Sequence, residues 1–390
     1  MGLLDWFKNK TVNVSRYKLI TDIGEGFYAW NGNLYKSDIV RAAIRPKAQA
    51  VGKIVGKHIR ETINNGVKDI KINPDVYMKF LLEEPNPYMT GQMLQEKLAT
   101  QLELNNNAFA YIERNEDGYP MAIYPISAIT SEAIQNSSGE LFLRFTLKNG
   151  RTVTFRYTDI IHLRKDFNNN EIFGDSPAQV LTPLMEIVNT TDQGIVKAIK
   201  NSNVIRWLLK FTQALRPEDI KKQTKQFVED YLSIESESVG AAATDAKADV
   251  VQVEPKDYVP NATQMDKTVQ RIYSFFNTNE KIVQGKYTED EWISYYEANI
   301  EPVVIQLSGE YTRKLFSRRE RGFGNKIIFE ASNLTFASMK TKLDLIKYVD
   351  RGIMSPNEVR EILHYAPREG GDTYVLRKDT GQLGKGGDEE

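Results

Sequence analysis

A strand fed through a short punctuation mark into a long rod constrains this chain more than any other feature. Residues 160–166 read Ile-Ile-His-Leu-Arg-Lys-Asp, three asparagines occupy 168–170, and Gly174-Asp175-Ser176-Pro177 follows. Asp175 or Ser176 can accept a hydrogen bond from an unpaired amide in the first turn of a helix, and Pro177 sits where a missing N–H costs nothing. Beyond it Val180, Leu181, Leu184, Met185, Ile187, Val188, Ile195, Val196 and Ile199 recur at a three-to-four residue spacing as far as Asn201, interrupted by a polar patch from Asn189 to Gly194. A helix over that span runs about 35 to 40 Å at 1.5 Å per residue. It is longer than a typical globular helix, and its apolar residues occupy more than one stripe, as burial on two sides requires.

The flanking sequence sorts into an α+β pattern. Ahead of the rod the periodicity predicts a helix near Ala42 to Asn64 and another near Thr90 to Leu104. Strands follow at Ala108 to Arg114, Leu141 to Leu147 and Thr152 to Tyr157, with Asp-Gly, Ser-Gly and Asn-Gly turns that mark antiparallel hairpins. After the rod comes a strand from Val204 to Phe211, a helix opened by Arg216-Pro217-Glu218-Asp219, and a soft stretch from Ser233 to Asp249 rich in serine, alanine and acid. A second, shorter helix from Ala262 to Phe276 carries Met265, Val269, Ile272, Tyr273 and Phe276 on one face. Two apolar-faced helices thus bracket a small insert.

Composition narrows the function. At 390 residues the chain exceeds one ordinary core and should divide into two to four lobes. Lysine plus arginine, 51, nearly balances aspartate plus glutamate, 52, so any grip on nucleic acid should be loose. Cysteine is absent, which excludes disulfides and cysteine metal sites and fits assembly in a reducing cytoplasm. Met1 to Lys8 has an acidic residue inside its short apolar run and does not read as a signal peptide, and no apolar run reaches the length of a membrane span.

An ordered series of motifs carries a resemblance. Leu81-Leu82-Glu83-Glu84-Pro85-Asn86-Pro87-Tyr88-Met89-Thr90 is followed by Asn107-Ala108-Phe109-Ala110-Tyr111-Ile112-Glu113-Arg114, Asp117-Gly118-Tyr119-Pro120 and Ile123-Tyr124-Pro125-Ile126. Ile161-His162-Leu163, Gly174-Asp175-Ser176-Pro177, Asn299-Ile300-Glu301-Pro302 and Gly352-Ile353-Met354-Ser355-Pro356-Asn357-Glu358-Val359-Arg360 continue it. Their order and spacing, over most of the chain, resemble the portal proteins of tailed bacteriophages. The resemblance implies a multidomain subunit of a cyclic ring, a dodecamer in this family, with thirteen subunits open on overexpression. It divides the chain into an N-terminal wing (1–175), an outgoing stem helix (176–201), a clip (202–261), a returning stem helix (262–276), a tunnel loop (277–291), a wing completion (292–351) and a short crown with an acidic tail (352–390). The tail from Gly381 to Glu390 is expected to be disordered. The implied function is the ring at one capsid vertex of the virion, through which double-stranded DNA is packaged and ejected. The implied partners are further copies of the chain, viral DNA, the large terminase, the major capsid protein and a head-completion adaptor, with no cofactor, no metal and no membrane.

Candidate residues follow from that division. In the tunnel loop Lys281, Gln284 and Lys286 could touch phosphates while Glu280, Glu289, Asp290 and Glu291 limit the grip; a plain solvent loop is the other reading. In the clip Glu229, Glu235, Glu237 and Asp245 are the candidates for terminase and adaptor binding. Arg318, Arg319 and Arg321 either offset the dipole at a helix C-terminus stopped by Gly322, or contact DNA or a neighbouring subunit. His58, His162 and His364 show no metal-ligand spacing and read as structural, and Glu83-Glu84 reads as a solvated helix end before Pro85. Gly24-Glu25-Gly26 has no third glycine and reads as a turn. A nucleic-acid enzyme would need a carboxylate metal cluster or a phosphate loop, and neither is present in the sequence. A structural adaptor or scaffold of a protein shell, without a DNA channel, remains the alternative.

Overall fold

A computed structural model describes residues 17–19, 27–28, 34–64, 67–168, 171–201, 207–211, 216–227, 248–252, 262–329, 345–363 and 365–375. The chain forms two compact units. The larger comprises residues 1–181 and 269–390, and the smaller comprises 182–268. The proposed clip acids Glu229, Glu235, Glu237 and Asp245, together with His364, the Gly24 turn and the acidic tail, lie outside the described residues.

In the larger unit two short strands, β1 (Tyr17–Leu19) and β2 (Phe27–Tyr28), precede helix α1 (Asp38–Gly52). Ser37 caps α1, its hydroxyl accepting from the Val40 amide, and Val40, Ala43, Ile44 and Val51 are buried. The sequence suggested a helix continuing to Asn64; instead the chain turns at Lys53 and enters β3 (Gly56–Asn64), paired with β4 (Val67–Ile72). The reason is long-range. Gly56 lies so close to the Phe329 ring that a β-carbon there would stand 2.8 Å from it, and residues 56–60 pair with a strand more than 260 positions away. Helix α2 (Val76–Glu83) starts on the Asp75 carboxylate and ends at Glu84, as Glu83-Glu84-Pro85 suggests. Helix α3 (Gly91–Asn105) is capped by Thr90 and leaves through Asn106 in the left-handed region, φ 55°.

The predicted hairpins are present, with two further strands that were not anticipated. Strands β5 (Asn107–Arg114), β6 (Pro120–Ile126), β7 (Ala128–Asn136), β8 (Leu141–Leu147), β9 (Thr152–Arg156) and β10 (Ile160–Arg164) are antiparallel throughout. Gly118, Gly139 and Gly150, at φ 81°, 83° and 77°, make the turns, which no side-chain-bearing residue adopts cheaply. The sheets run β1-β7-β8-β9, with β2 also on β7, then β10-β5-β6. Their shared core holds Phe109, Tyr111, Leu143, Phe145, Leu147 and Phe155, and the Tyr111 and Phe155 rings stack at 4.3 Å.

Helix α4 (Ala178–Asn201) is the 24-residue rod, beginning in the larger unit and running into the smaller. In the smaller unit β11 (Trp207–Phe211) pairs with β12 (Ala248–Gln252), and α5 (Pro217–Phe227) lies between them in sequence. The soft stretch therefore ends earlier than its composition suggested, since Ala248 and Asp249 already belong to a strand. Helix α6 (Ala262–Phe275) leads back toward the larger unit.

The return begins with α7 (Glu280–Gln284) and α8 (Glu289–Tyr295), a correction to the expected structureless loop. In the wing completion the resemblance implies one helix from Trp292 to Ser317; that helix is instead interrupted by a π turn at Tyr296–Ile300 before α9 (Glu301–Leu315). Pro302 explains the break: it supplies no N–H to the preceding turn and its ring crowds the carbonyl four residues back. Helix α10 (Arg318–Gly322) and β13 (Asn325–Phe329) follow, and β13 completes the sheet β13-β3-β4. Short helices α11 (Ile346–Asp350) and α12 (Pro356–Ile362) close the described chain. Ser355 and Glu358 bond each other's backbone amides at the start of α12, the reciprocal cap that the Ser-Pro-Asn-Glu spelling allows.

Candidate functional site

The root of the long rod is fixed by two asparagines that follow α3. The Asn107 side chain accepts from the Gly174 amide and donates to the Gly174 carbonyl, both at 2.9 Å, and its oxygen lies 3.0 Å from His162 Nε2. The Asn106 amide donates to the Asp175 carbonyl at 2.7 Å while the Asn106 carbonyl accepts from the Lys165 amide at 3.0 Å. A β-carbon on Gly174 would collide with the Asn106 and Lys165 carbonyl oxygens, so this position admits only glycine. Ser176 reaches the first turn of α4, its hydroxyl accepting from the Ala178 amide at 3.3 Å.

His162 is fully buried and stacked on Phe109 at 4.5 Å; burial, then the charges of Arg164, Lys314 and Arg313, hold its pKa well below the usual histidine range. A neutral ring with Nε2 donating to Asn107 satisfies this geometry, so His162 orients the clamp. Behind it Glu103, 1% exposed, takes the ammonium of Lys47 and that of Lys165 at 2.7 Å each. Although burial opposes its ionisation, the two lysines keep this carboxyl below its ordinary pKa. The ion triad ties α1, α3 and the end of β10 together directly behind the rod's entry.

Across the same unit, the segment proposed as a tunnel loop is held by its own caps. Asn279 accepts from the Ile282 amide at 3.1 Å, Ile282 is buried, and Gly285 ends α7 at φ 70°. Thr288 and Glu291 form a capping box, and the Tyr287 ring stacks on Trp292 at 4.9 Å. Glu291 also takes the Lys281 ammonium, and that hydrogen bond, with the Thr288 amide, lowers its pKa. Gln284 is occupied as well, donating to Glu280 at 2.6 Å. Lys286 alone of the three candidates is an exposed cation without a carboxylate partner among the described residues.

A groove of about 350 Å³ separates this segment from α1 and adds cations that sequence reasoning missed. Arg45, Gln49 and Lys53 line it from α1, all exposed, opposite Gly285 and Tyr287. Their four-residue spacing is visible in the sequence, but only the fold sets that face opposite a loop 230 and more positions away.

The arginine cluster departs from expectation. Arg318 to Arg321 do not end the preceding helix; α9 stops at Leu315, and Ser317 with Glu320 caps a new short helix. The cations therefore do not sit at the C-terminus of a long dipole. Arg318 is exposed, Arg321 is half-buried, and Arg319 enters a cleft of about 1330 Å³ with Arg60, Arg114 and Asp75. In that cleft Arg114 is committed to Asp159 at 2.8 Å and Arg60 to Asn325 at 2.9 Å. Burial pushes the Lys314 ammonium, 3.7 Å from the Tyr157 ring centre, down to about 8. Among the described residues no cluster of three His, Cys, Asp or Glu side chains could hold a metal ion, and no helix is long and apolar enough to cross a membrane.

The model of the phage portal protein family matches residues 38–364, which takes in the rod, the insert and the flanking sheets. The chain belongs to the phage portal protein family. A probable portal protein of Lactococcus phage p2 is 31% identical over 144 residues, covering 35% of this chain and 38% of that protein. The probable portal protein of Lactococcus phage SK1 aligns with the same figures. The alignment thus spans well under half the length of these curated relatives. Among solved structures, a chain in the virion of a native gene transfer agent particle superposes with a TM-score of 0.66 at 13% identity, covering 88% of this chain and 96% of that one. The HK97-family phage portal protein of Corynebacterium diphtheriae superposes with a TM-score of 0.50 at 12% identity, covering 80% and 98%. At such identities the likeness is one of fold, and it places this portal-family chain in an α+β architecture shared with both.

Proposed function

We propose that this chain is the subunit of a homo-oligomeric ring at one capsid vertex, through which viral double-stranded DNA enters during packaging and leaves on ejection. The observation that carries the reading is the separate unit of residues 182–268, reached through the 24-residue α4 and left through the 14-residue α6. A separate unit entered through one helix and left through another suits a docking platform. We assign it the large terminase during packaging and the head-completion adaptor afterwards, with the larger unit toward the major capsid protein.

DNA contact is assigned to the groove between α1 and residues 280–291. Arg45 and Lys53 supply the positive charge of the groove lining, Lys286 stands exposed between its lining residues Gly285 and Tyr287, and Lys281 is restrained by Glu291. Such contacts neutralise phosphates and read no base edge, so the duplex can slide. Electron microscopy of the purified full-length chain tests the proposal: rings with an axial hole wide enough for duplex DNA are expected, and closed particles or a monomer would refute it.

A further inference from the structure

The larger unit holds a pocket of about 870 Å³ between α3, the junction of β6 with β7, and Leu34. Its walls are mostly apolar, with Leu104, Phe109, Ile126 and Ile129 inside and Met93, 57% exposed, at the mouth. Two cations enter it, Lys97 from α3 and Lys148 from the turn between β8 and β9. Neither pairs with a carboxylate among the described residues, and Glu96, which lines the same pocket, forms an ion pair with neither. Lys97 is half-buried; burial, then the charge of Lys148, lowers its pKa. Two like charges gathered in a partly desolvated pocket repel each other until an anion joins them. Gln101 adds a third unmet demand. Its amide donates to the Ile126 carbonyl at 3.4 Å and to the Ser127 hydroxyl at 3.2 Å, while its Oε1 is buried with no donor among the described residues. A buried acceptor is costly to leave unpaired, and a backbone N–H of an entering peptide supplies what it lacks.

The pocket thus fits a peptide that brings apolar side chains, one carboxylate and a free amide. The chain carries such a segment in Leu3-Leu4-Asp5-Trp6-Phe7, where one acid stands among four apolar side chains. We infer that Leu3 to Phe7 docks in this pocket of its own subunit, with the Asp5 carboxylate between Lys97 and Lys148. The tether is long enough. Strand β1 pairs with β7 at the end away from the pocket, Tyr17 opposite Asn136, and from Asn136 back to Ile129 is about 23 Å at about 3.3 Å per residue. The chain between Phe7 and Tyr17 spans up to about 33 to 36 Å when extended. Tethering also gives the segment a high effective concentration at its own pocket, which favours it over the segment of another copy. The docking needs no ring and stands apart from the DNA reading.

The chain has no cysteine, so introduced pairs report the contact without background. In purified full-length protein treated with oxidised glutathione, Leu4→Cys with Met93→Cys should form a disulfide at least about tenfold faster than Leu4→Cys with Met121→Cys. Met121, 61% exposed, lies outside the pocket, and both methionines are exposed enough to be replaced without loss of the fold. Lys97→Glu with Lys148→Glu should remove the advantage of the Met93 position, and adding Asp5→Lys should restore it, a rescue that a misfolded chain cannot give. Equal rates for the two pairs, or an advantage untouched by charge reversal, would overturn the inference. If the reversed variant does not fold, the comparison of the two pairs decides alone. Mixing isotope-labelled with unlabelled chains separates the remaining outcome: disulfides that join one chain to another would place the segment in a different copy and overturn docking within the subunit.

Discussion

At the scale of single residues, the rod's entry depends on groups too small or too buried to stand out by chemistry. Gly174 has carbonyl oxygens on two sides of the space a methyl would fill, so Gly174→Ala should cost about 3 kcal/mol or more, read as a lowered denaturant midpoint with little change in slope. Asn107→Ala removes one side chain that serves both backbone groups of Gly174 and the His162 ring; a loss of about 2 to 4 kcal/mol is expected, since the buried partners are left unsatisfied. The pH response follows from His162, whose pKa is depressed in the folded chain. The unfolded chain then binds the proton first, so stability is fully present above pH 6.5 and is lost as pH falls from there toward the depressed value. His58, also lowered by burial, acts in the same direction. Unfolding measured between about pH 7 and 5 should therefore show a shallower loss in His162→Gln than in the unsubstituted chain. A flat profile in both would count against this assignment. The sequence already marked His162 as structural, because no metal-ligand spacing surrounds it; that its ring hydrogen-bonds Asn107 could not be read, since the two stand 55 positions apart.

At the scale of elements, local signals were read well wherever local chemistry decides. The Gly turns, the helix start near Thr90, the cap at Ser176 and the helix end before Pro85 all act within a few residues. Where a distant strand decides, the reading failed: residues 56–64 look helical beside α1 but are claimed by β13. Residues 277–291 were read as structureless because the caps at Asn279 and Thr288 each govern only one or two turns. Knowing those caps changes the expected effect of substitutions there. Lys281→Ala should chiefly loosen the start of α8, whereas Arg45→Ala, Lys53→Ala and Lys286→Ala together should leave rings intact and weaken DNA retention. If the groove is the DNA-facing element, the slope of DNA release against salt falls in the triple variant, independent of DNA sequence. Unaltered retention and slope in assembled variant rings would remove the groove from the channel.

At the scale of the molecule, the division into two units sets what can be changed separately. Residues 182–268 form their own compact unit, so trimming 233–247 should leave ring assembly unchanged while abolishing capture of terminase and adaptor in a pull-down. Retained binding of both proteins would move the docking surface elsewhere.

The sequence by itself determined the rod, its cap, the hairpin turns and the order of motifs that places the chain in its family. Each of these is written in contiguous residues, through periodicity, turn geometry or capping. Only the tertiary structure decided that Glu103 joins Lys47 to Lys165, that Asn107 grips Gly174, that Arg45 faces the Gly285 turn, and that Lys97 shares a pocket with Lys148. Those features pair positions up to hundreds of residues apart, and which of many compatible side chains meet is settled by packing, to which local propensity is blind.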